Sequence, residues 1–126
     1  MGTEGKDIIL VLDDDEAVRE SLKFSLELEG YTVRTCAEGR ELLNHPDLAR
    51  ARCLILDYRM PQMDGFEVLD RLATQHVDVP VLLITSNASD ALRRRAACVG
   101  VRHVLEKPLS DGALIENIQS VLSLSS

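Results

Sequence analysis

Short runs of hydrophobic residues recur along the chain, and polar or turn-forming residues separate them. Five runs stand out, of which the second is the weakest: 8–12, 31–36, 53–56, 79–84 and 101–105. The first and fourth runs are almost continuously hydrophobic, which is typical of strands that helices cover on both faces of a parallel sheet. The pattern therefore predicts five strands, with Pro80 close to the start of the fourth.

Amphipathic stretches between these runs predict helices. Val18, Leu22 and Leu26 recur every fourth residue, and Gly30 follows where a helix C-terminal cap belongs. The same spacing predicts a third helix after Gly65, a fourth helix with mostly small apolar residues and a last helix near the end. The residues concerned are Leu69, Leu72 and Ala73, then Ala88, Ala91, Leu92, Ala96 and Ala97, and finally Leu114, Ile118, Val121 and Leu122.

Strands and helices therefore alternate through the whole sequence. Five such units predict an α/β fold with one doubly wound, five-stranded parallel sheet, the flavodoxin-like strand order 2-1-3-4-5 and five helices. The length of 126 residues suits a single domain over 1–126.

Composition narrows the range of partners. The chain has 21 acidic and 14 basic residues and a net charge of −7, which argues against direct binding to nucleic acid or to an anionic membrane. Cys36, Cys53 and Cys98 fit neither a disulfide framework nor a zinc site, so reduced thiols are expected. The run 8–12 is too short for a membrane span or a signal-peptide core, and we expect a cytoplasmic protein.

Polar residues stand directly after four of the predicted strands. They are Asp13, Asp14 and Asp15 after the first, Asp57 after the third, Thr85 and Ser86 after the fourth, and Glu106, Lys107 and Pro108 after the fifth. The carboxyl ends of parallel strands share one edge of the sheet, where doubly wound folds bind ligands. These residues should therefore converge.

Carboxylates of Asp13, Asp14 and Asp57 in one crevice would repel each other unless a cation neutralised them. Because all the candidate ligands are hard oxygens, Mg²⁺ or Mn²⁺ is the expected metal. Lys107 adds a positive charge and Thr85 a hydroxyl. This set suits the acceptance of a phosphoryl group, with Asp57 as the nucleophile.

Simpler roles exist for each residue alone. Asp15 and Glu16 suit the N-terminus of the first helix, where a cap and a negative charge are favourable. A single Asp57 would be an ordinary turn residue, and a single Lys107 an ordinary surface lysine. Their joint placement at one sheet edge favours the chemical role.

Four features together are specific to one family. They are the pair Asp13-Asp14, the segment 57–65 with the sequence DYRMPQMDG, Thr85 at a strand end, and Lys107-Pro108. With them, residues 8–122 resemble the receiver domain of bacterial two-component response regulators, the CheY-like group. The resemblance implies that Asp57 takes phosphate from the phosphohistidine of a sensor histidine kinase.

The resemblance also implies a role for each neighbouring residue. Asp14, Asp57 and the Arg59 carbonyl would coordinate Mg²⁺, and Asp13 would act through a metal-bound water. Lys107 would contact the phosphoryl group, and Thr85 would move toward it after transfer. The amides of Arg59 and Ser86 would complete the oxygen cradle, and the Lys107-Pro108 bond is usually cis in this family.

Two positions depart from the family pattern. Val104 stands three residues before the lysine, where receivers usually carry the Tyr or Phe that turns inward when the threonine shifts. Ser86 stands where Ala or Gly is commoner. The resemblance further implies phosphorylation-dependent dimerisation through the face of helix four, strand five and helix five, and the possibility of an effector domain beyond Ser126.

Three other functions compete with this interpretation. An aspartate-nucleophile phosphohydrolase would use Asp13 as the nucleophile, but the length leaves little room for a substrate cap. A flavin-binding electron carrier would need a phosphate-binding loop rich in Ser, Thr and Gly after strand one, which the sequence lacks. A degenerate receiver that binds partners without phosphate is compatible with Val104.

Overall fold

The structure, a computed structural model, describes residues 7–125, so 1–6 and Ser126 of the predicted domain lie outside the described residues. Five parallel strands form one sheet in the order β2-β1-β3-β4-β5, as predicted. The strands are β1 (Ile8–Leu12), β2 (Thr32–Cys36), β3 (Cys53–Asp57), β4 (Val81–Thr85) and β5 (His103–Glu106).

The observed strand ends differ slightly from the predicted runs. β4 begins at Val81 because Pro80 has no N–H to donate, although its carbonyl accepts the Leu54 amide at 2.9 Å. β3 and β4 extend one residue further than the hydrophobic runs, so Asp57 and Thr85 are the last residues of their strands. The backbone of both residues is thereby held by the sheet itself.

Five helices and one short 3-10 turn connect the strands. They are α1 (Glu16–Leu28), α2 (Gly39–Leu43), the 3-10 turn Leu48–Arg50, α3 (Gly65–Thr74), α4 (Asp90–Cys98) and α5 (Asp111–Ser125). Asp15 caps α1 as predicted, since its carboxylate accepts the Ala17 amide at 2.9 Å. Ala88 was predicted inside the fourth helix, but it lies before the helix because the Ser89 side chain caps α4 at the Leu92 amide.

The sheet has a hydrophobic layer on each face. Alternate β1 residues point to opposite faces, with Leu10 in the layer under α2, α3 and α4 and Val11 in the layer under α1 and α5. All five residues of β1, β3 and β4 are buried, as expected for strands that helices cover on both sides. The central strands therefore present only their carboxyl ends to the functional edge.

Three helices end in the same hydrogen-bonded motif. The second residue after the end of α1, α3 and α4 adopts a positive φ angle in each case. These residues are Gly30 at 97°, His76 at 60° and Gly100 at 87°. In each case their amides bond back into the last turn, as in a Schellman motif. Gly30 confirms the predicted end of the first helix, whereas His76 occupies a conformation that favours glycine.

All three cysteines are free, with Cys36 and Cys53 buried and Cys98 exposed. Within residues 7–125, no helix has both the length and the apolar character that a membrane crossing requires.

Candidate functional site

Four strand ends contribute to one cluster of polar side chains at the carboxyl edge of the sheet. Asp13 follows β1, Asp57 ends β3, Thr85 ends β4 and Lys107 follows β5. Asp13, Asp57 and Thr85 are the polar residues that the described chain buries. The topology therefore places its buried polar groups at one rim and fills the rest of the interior with hydrocarbon.

Asp13 is fully enclosed. Its amide donates to the Cys36 carbonyl at 3.2 Å, which joins the end of β1 to the end of β2. Its Oδ1 accepts the Asp15 amide at 2.9 Å, and its Oδ2 lies 3.0 Å from the Lys107 ammonium. Beyond that ion pair, Oδ2 has no hydrogen-bond partner among the described residues. A second cation would find this oxygen available.

Asp57 is 4% exposed, and its Oδ1 lies 3.5 Å from the Lys107 ammonium. Burial and the nearby Asp13 carboxylate raise the pKa of Asp57 from its ordinary 3.8 to about 7, and Asp14 adds to this effect. The Lys107 charge and the Arg59 amide, which donates to the carboxylate, offset only part of the rise. The site therefore holds more negative charge than its own residues neutralise.

Lys107 is partly buried and bridges the two aspartates. Burial lowers the pKa of Lys107, but the hydrogen bond and the charge of Asp13, with those of Asp57, outweigh burial and raise it. Its amide donates to the Thr85 carbonyl at 2.7 Å, and the Lys107-Pro108 bond is cis, as the family pattern implies. The ammonium is therefore charged at neutral pH and aimed into the cluster.

The residues present fit a divalent cation. Carboxylate oxygens of Asp13, Asp14 and Asp57 lie within 4.8 Å of one another, and Asp14 is the exposed member of the three. All are hard oxygen donors of the kind that Mg²⁺ and Mn²⁺ prefer. Two observations fit a cluster that binds one more positive charge. The pKa of Asp57 is raised, and Asp13 Oδ2 has no hydrogen-bond partner among the described residues.

The remaining predicted residues surround this cluster in different ways. The Thr85 hydroxyl is buried and accepts the Asn87 amide at 3.2 Å, so it points toward the loop that leads to α4. Ser86 follows it and is exposed. Arg59 is exposed and contributes its backbone amide to Asp57.

Two further residues support the site: Arg19, to which the sequence analysis gave no role, and Gly65, which closes the family-specific segment 57–65. Arg19 in α1 donates from its guanidinium to the Asp13 carbonyl at 2.8 Å and so holds the acidic loop. A Cβ at Gly65 would lie 3.2 Å from the Tyr58 Cα and 3.3 Å from the Asp57 carbonyl. Arg19 stands four residues after the cap Asp15, and this helical spacing is the signal that could have revealed it.

Val104 occupies the position where the family usually has an aromatic side chain. Val104 in β5 is half-buried and packs against the layer under α4. Its carbonyl accepts from the Arg93 guanidinium at 3.3 Å, so a side chain of α4 is bonded to the backbone of β5 at this point.

Comparison with known proteins gives one consistent result. A family model described as "Response regulator receiver domain" matches residues 9–119. The chain is 38% identical over 114 residues to the response regulator MprA of Mycolicibacterium vanbaalenii, covering 90% of this chain and 49% of that protein. MprA of Mycobacterium ulcerans is 39% identical over the same length and coverage. The chain thus spans about half the length of these relatives.

Solved structures agree with the sequence matches. The chemotaxis protein CheY4 of Vibrio cholerae superimposes with a TM-score of 0.85 and 32% sequence identity, covering 94% of this chain and 100% of the CheY4 chain.

Proposed function

Because the chain belongs to the response regulator receiver domain family, a family of two-component signalling domains, we propose that Asp57 accepts a phosphoryl group from the phosphohistidine of a sensor histidine kinase. The observation that carries this proposal is the position of the Asp57 carboxylate. It ends a buried strand, faces the Lys107 ammonium at 3.5 Å and shares a rim with two further carboxylates.

The transfer exchanges one bond to phosphorus for another. A carboxylate oxygen of Asp57 attacks the phosphorus, the bond from phosphorus to the histidine nitrogen breaks, and the nitrogen keeps that electron pair. Lys107 offsets charge on the transferred oxygens, as preorganised cations do in phosphoryl transfer. The domain thus catalyses only its own phosphorylation and its own dephosphorylation.

Asp14, Asp57 and the Arg59 carbonyl would hold Mg²⁺ or Mn²⁺, with Asp13 acting through a coordinated water. When bound, the metal would supply positive charge at the phosphoryl oxygens and relieve the repulsion between the carboxylates. The amides of Arg59 and Ser86 would donate to the same oxygens. The Thr85 hydroxyl would leave the Asn87 amide and turn to the new phosphoryl group.

Asp13 is a poorer nucleophile than Asp57, which weighs against the phosphohydrolase alternative. Its Oδ1 accepts the Asp15 amide, and its Oδ2 faces Lys107 at 3.0 Å in a fully enclosed position. Asp57 is slightly less enclosed, at 4% exposed against 0% for Asp13, and its carboxylate lies farther from the Lys107 ammonium, at 3.5 Å. Asp57 combines a raised pKa with a place beside the exposed Asp14.

The test is labelling with a phosphodonor. Acetyl phosphate or a sensor kinase with Mg²⁺ should label the wild-type chain, and chelation of the metal should abolish the label. Asp57→Asn should remove labelling, whereas Asp70→Asn, an exposed acid on α3, should keep it. A label that persists in Asp57→Asn would move the nucleophile elsewhere, and a wild-type protein that takes no label would favour the phosphate-independent receiver.

For the output, we propose a homodimer that forms on phosphorylation through the face made by α4, β5 and α5. This face has a groove of about 290 Å³ lined by Arg93, Ala97, His103, Leu105 and Asn117 among others. Because the chain spans about half the length of its MprA relatives, we also propose an effector domain beyond Ser126. A cytoplasmic location is also proposed, since the phosphodonor would be a sensor histidine kinase. An elution volume that a phosphoryl mimic leaves unchanged would contradict dimerisation.

A further inference from the structure

Few contacts hold α4 to the body of the protein. Of its nine residues, Leu92 and Ala96 are buried. On the side of β5, the Arg93 guanidinium donates to the Val104 carbonyl at 3.3 Å. On the side of α3, the Arg95 guanidinium lies 4.0 Å from the centroid of the Phe66 ring. With so little buried area, these lateral contacts supply a large share of what fixes the helix.

Phe66 connects Arg95 to the site. The Phe66 ring is buried, and its centroid lies 5.4 Å from that of Tyr58 in an edge-to-face arrangement with an interplanar angle of 70°. Such pairs are favourable because the positive edge of one ring meets the negative face of the other. Tyr58 directly follows Asp57, so two ring contacts lead from the acceptor residue to α4.

The backbone around Tyr58 leaves little freedom for this connection to relax. The Tyr58 amide donates to the Ile84 carbonyl at 2.8 Å, and its carbonyl accepts the Gly65 amide at 2.9 Å. A Cβ on Gly65 would lie 2.9 Å from the Leu83 side chain, so the start of α3 is already packed against β3 and β4. Backbone hydrogen bonds therefore hold Tyr58, and with it the start of α3 that carries Phe66.

Around Arg95, open space separates α4 from α3. A cleft of about 660 Å³ lies between α3 and α4, and its lining includes Phe66, Leu69, Ala73, Arg95 and Val99. Arg95 and Phe66 both line this cleft, and they are in contact at its wall. Since only Leu92 and Ala96 anchor α4 in the core layer, a shift of this helix would disturb few buried side chains.

We propose that Phe66 and Arg95 are positioning residues that couple phosphorylation of Asp57 to the position of α4. The inference rests on the proposed function of Asp57. In the structure, the Tyr58–Phe66–Arg95 stack holds α4 beside α3. When Thr85 leaves the Asn87 amide, the loop into α4 is released, α4 moves away from Phe66 and the contact with Arg95 breaks.

The affinity for a phosphoryl mimic tests this coupling. Because the stack accompanies a Thr85 hydroxyl that is held by the Asn87 amide, Phe66→Leu and Arg95→Gln should each tighten the binding of beryllofluoride with Mg²⁺ by about twofold to fivefold. The double variant should gain no more than the stronger single variant, since both changes break one contact. Arg94→Gln removes the same charge from the neighbouring exposed position and should leave the affinity unchanged.

Hydrogen exchange of the unliganded protein gives a second readout. Amides of 92–98 should exchange about twofold to fivefold faster in Phe66→Leu and Arg95→Gln than in wild type and Arg94→Gln. Equal exchange in all four proteins would show that the stack does not restrain α4.

The two possible failures can be told apart. A wild-type protein that does not bind beryllofluoride would refute the proposed function of Asp57 and the coupling with it. Wild-type binding with equal affinities in all the variants would refute the coupling alone.

Discussion

At the scale of single residues, the fold buries the carboxylates of Asp13 and Asp57 side by side, and the Lys107 ammonium offsets the cost of burying their charges. One ammonium at 3.0 Å and 3.5 Å serves two buried carboxylates. Burying one such charge unpaired would cost several kcal/mol. The result is a site with one cation for three carboxylates, which favours binding of a further positive ion.

Lys107→Ala should affect metal binding and phosphoryl transfer in different ways. We expect its Mg²⁺ affinity to be equal to that of wild type or higher, because the ammonium competes with the metal for the same carboxylates. The rate of phosphorylation by acetyl phosphate should fall by about tenfold or more, since the transferred oxygens lose a cation.

A magnesium titration and a labelling time course on Lys107→Ala measure these two quantities. Lys23→Ala, an exposed lysine on α1, is the matched control and should change neither. A large loss of Mg²⁺ affinity in Lys107→Ala would show that the lysine organises the metal ligands.

At the scale of elements, the ends of the helices show how local sequence sets structure. Gly30 and Gly100 supply positive φ at two of the three Schellman ends. Gly30 allowed the end of α1 to be predicted from the sequence. The end of α3 gave no such signal, because His76 takes the same conformation at a steric cost.

His76→Gly should therefore stabilise the protein. We expect the free energy of unfolding to rise by about 0.5–1 kcal/mol, since glycine relieves the strain at φ 60° and the motif around it is otherwise complete. Chemical denaturation of the variant and wild type gives this difference directly.

Gly100→Ala is the converse control for the same effect. Its Cβ would meet no atom within 4 Å, so any loss reports the backbone alone, and we expect about 1 kcal/mol. Unchanged stability in both variants would mean that positive φ is not costly at these helix ends.

At the scale of the whole molecule, the acidic cluster links stability to pH. The pKa of Asp57 is raised from 3.8 to about 7, so between these values the folded state keeps a proton that the unfolded state has lost. In the metal-free protein, the contribution of Asp57 to the free energy of unfolding is therefore fully present below pH 4. It is lost as the pH rises toward 7.

Asp57→Asn, which cannot ionise, should escape this loss. At pH 8 without metal we expect the variant to be more stable than wild type by about 1–3 kcal/mol, with the difference closing toward pH 4. Added Mg²⁺ should narrow the gap at pH 8 by stabilising wild type. Thermal unfolding of both proteins across this pH range measures the effect, and a gap independent of pH would contradict it.

Much of the architecture was predictable because a parallel sheet buried on both faces demands strongly hydrophobic strands. The runs at 8–12 and 53–56 gave β1 and β3 almost to the residue, and the alternation with helices gave the strand order. The runs 31–36, 79–84 and 101–105 each start one or two residues before the observed strand, and Pro80 explains the late start of β4. Ala88 was misplaced because small residues suit a loop as well as a helix.

The sequence by itself determined the class of fold, the family and the chemistry available at the sheet edge. Those properties depend on residue type and order, which hydrophobic periodicity and the strand-ending Asp13, Asp57, Thr85 and Lys107 express directly. Only the tertiary structure decided that one lysine bridges two buried aspartates and that Tyr58, Phe66 and Arg95 stack in series. These contacts join residues that are distant in the chain, and their distances depend on how layers pack, which no local pattern encodes.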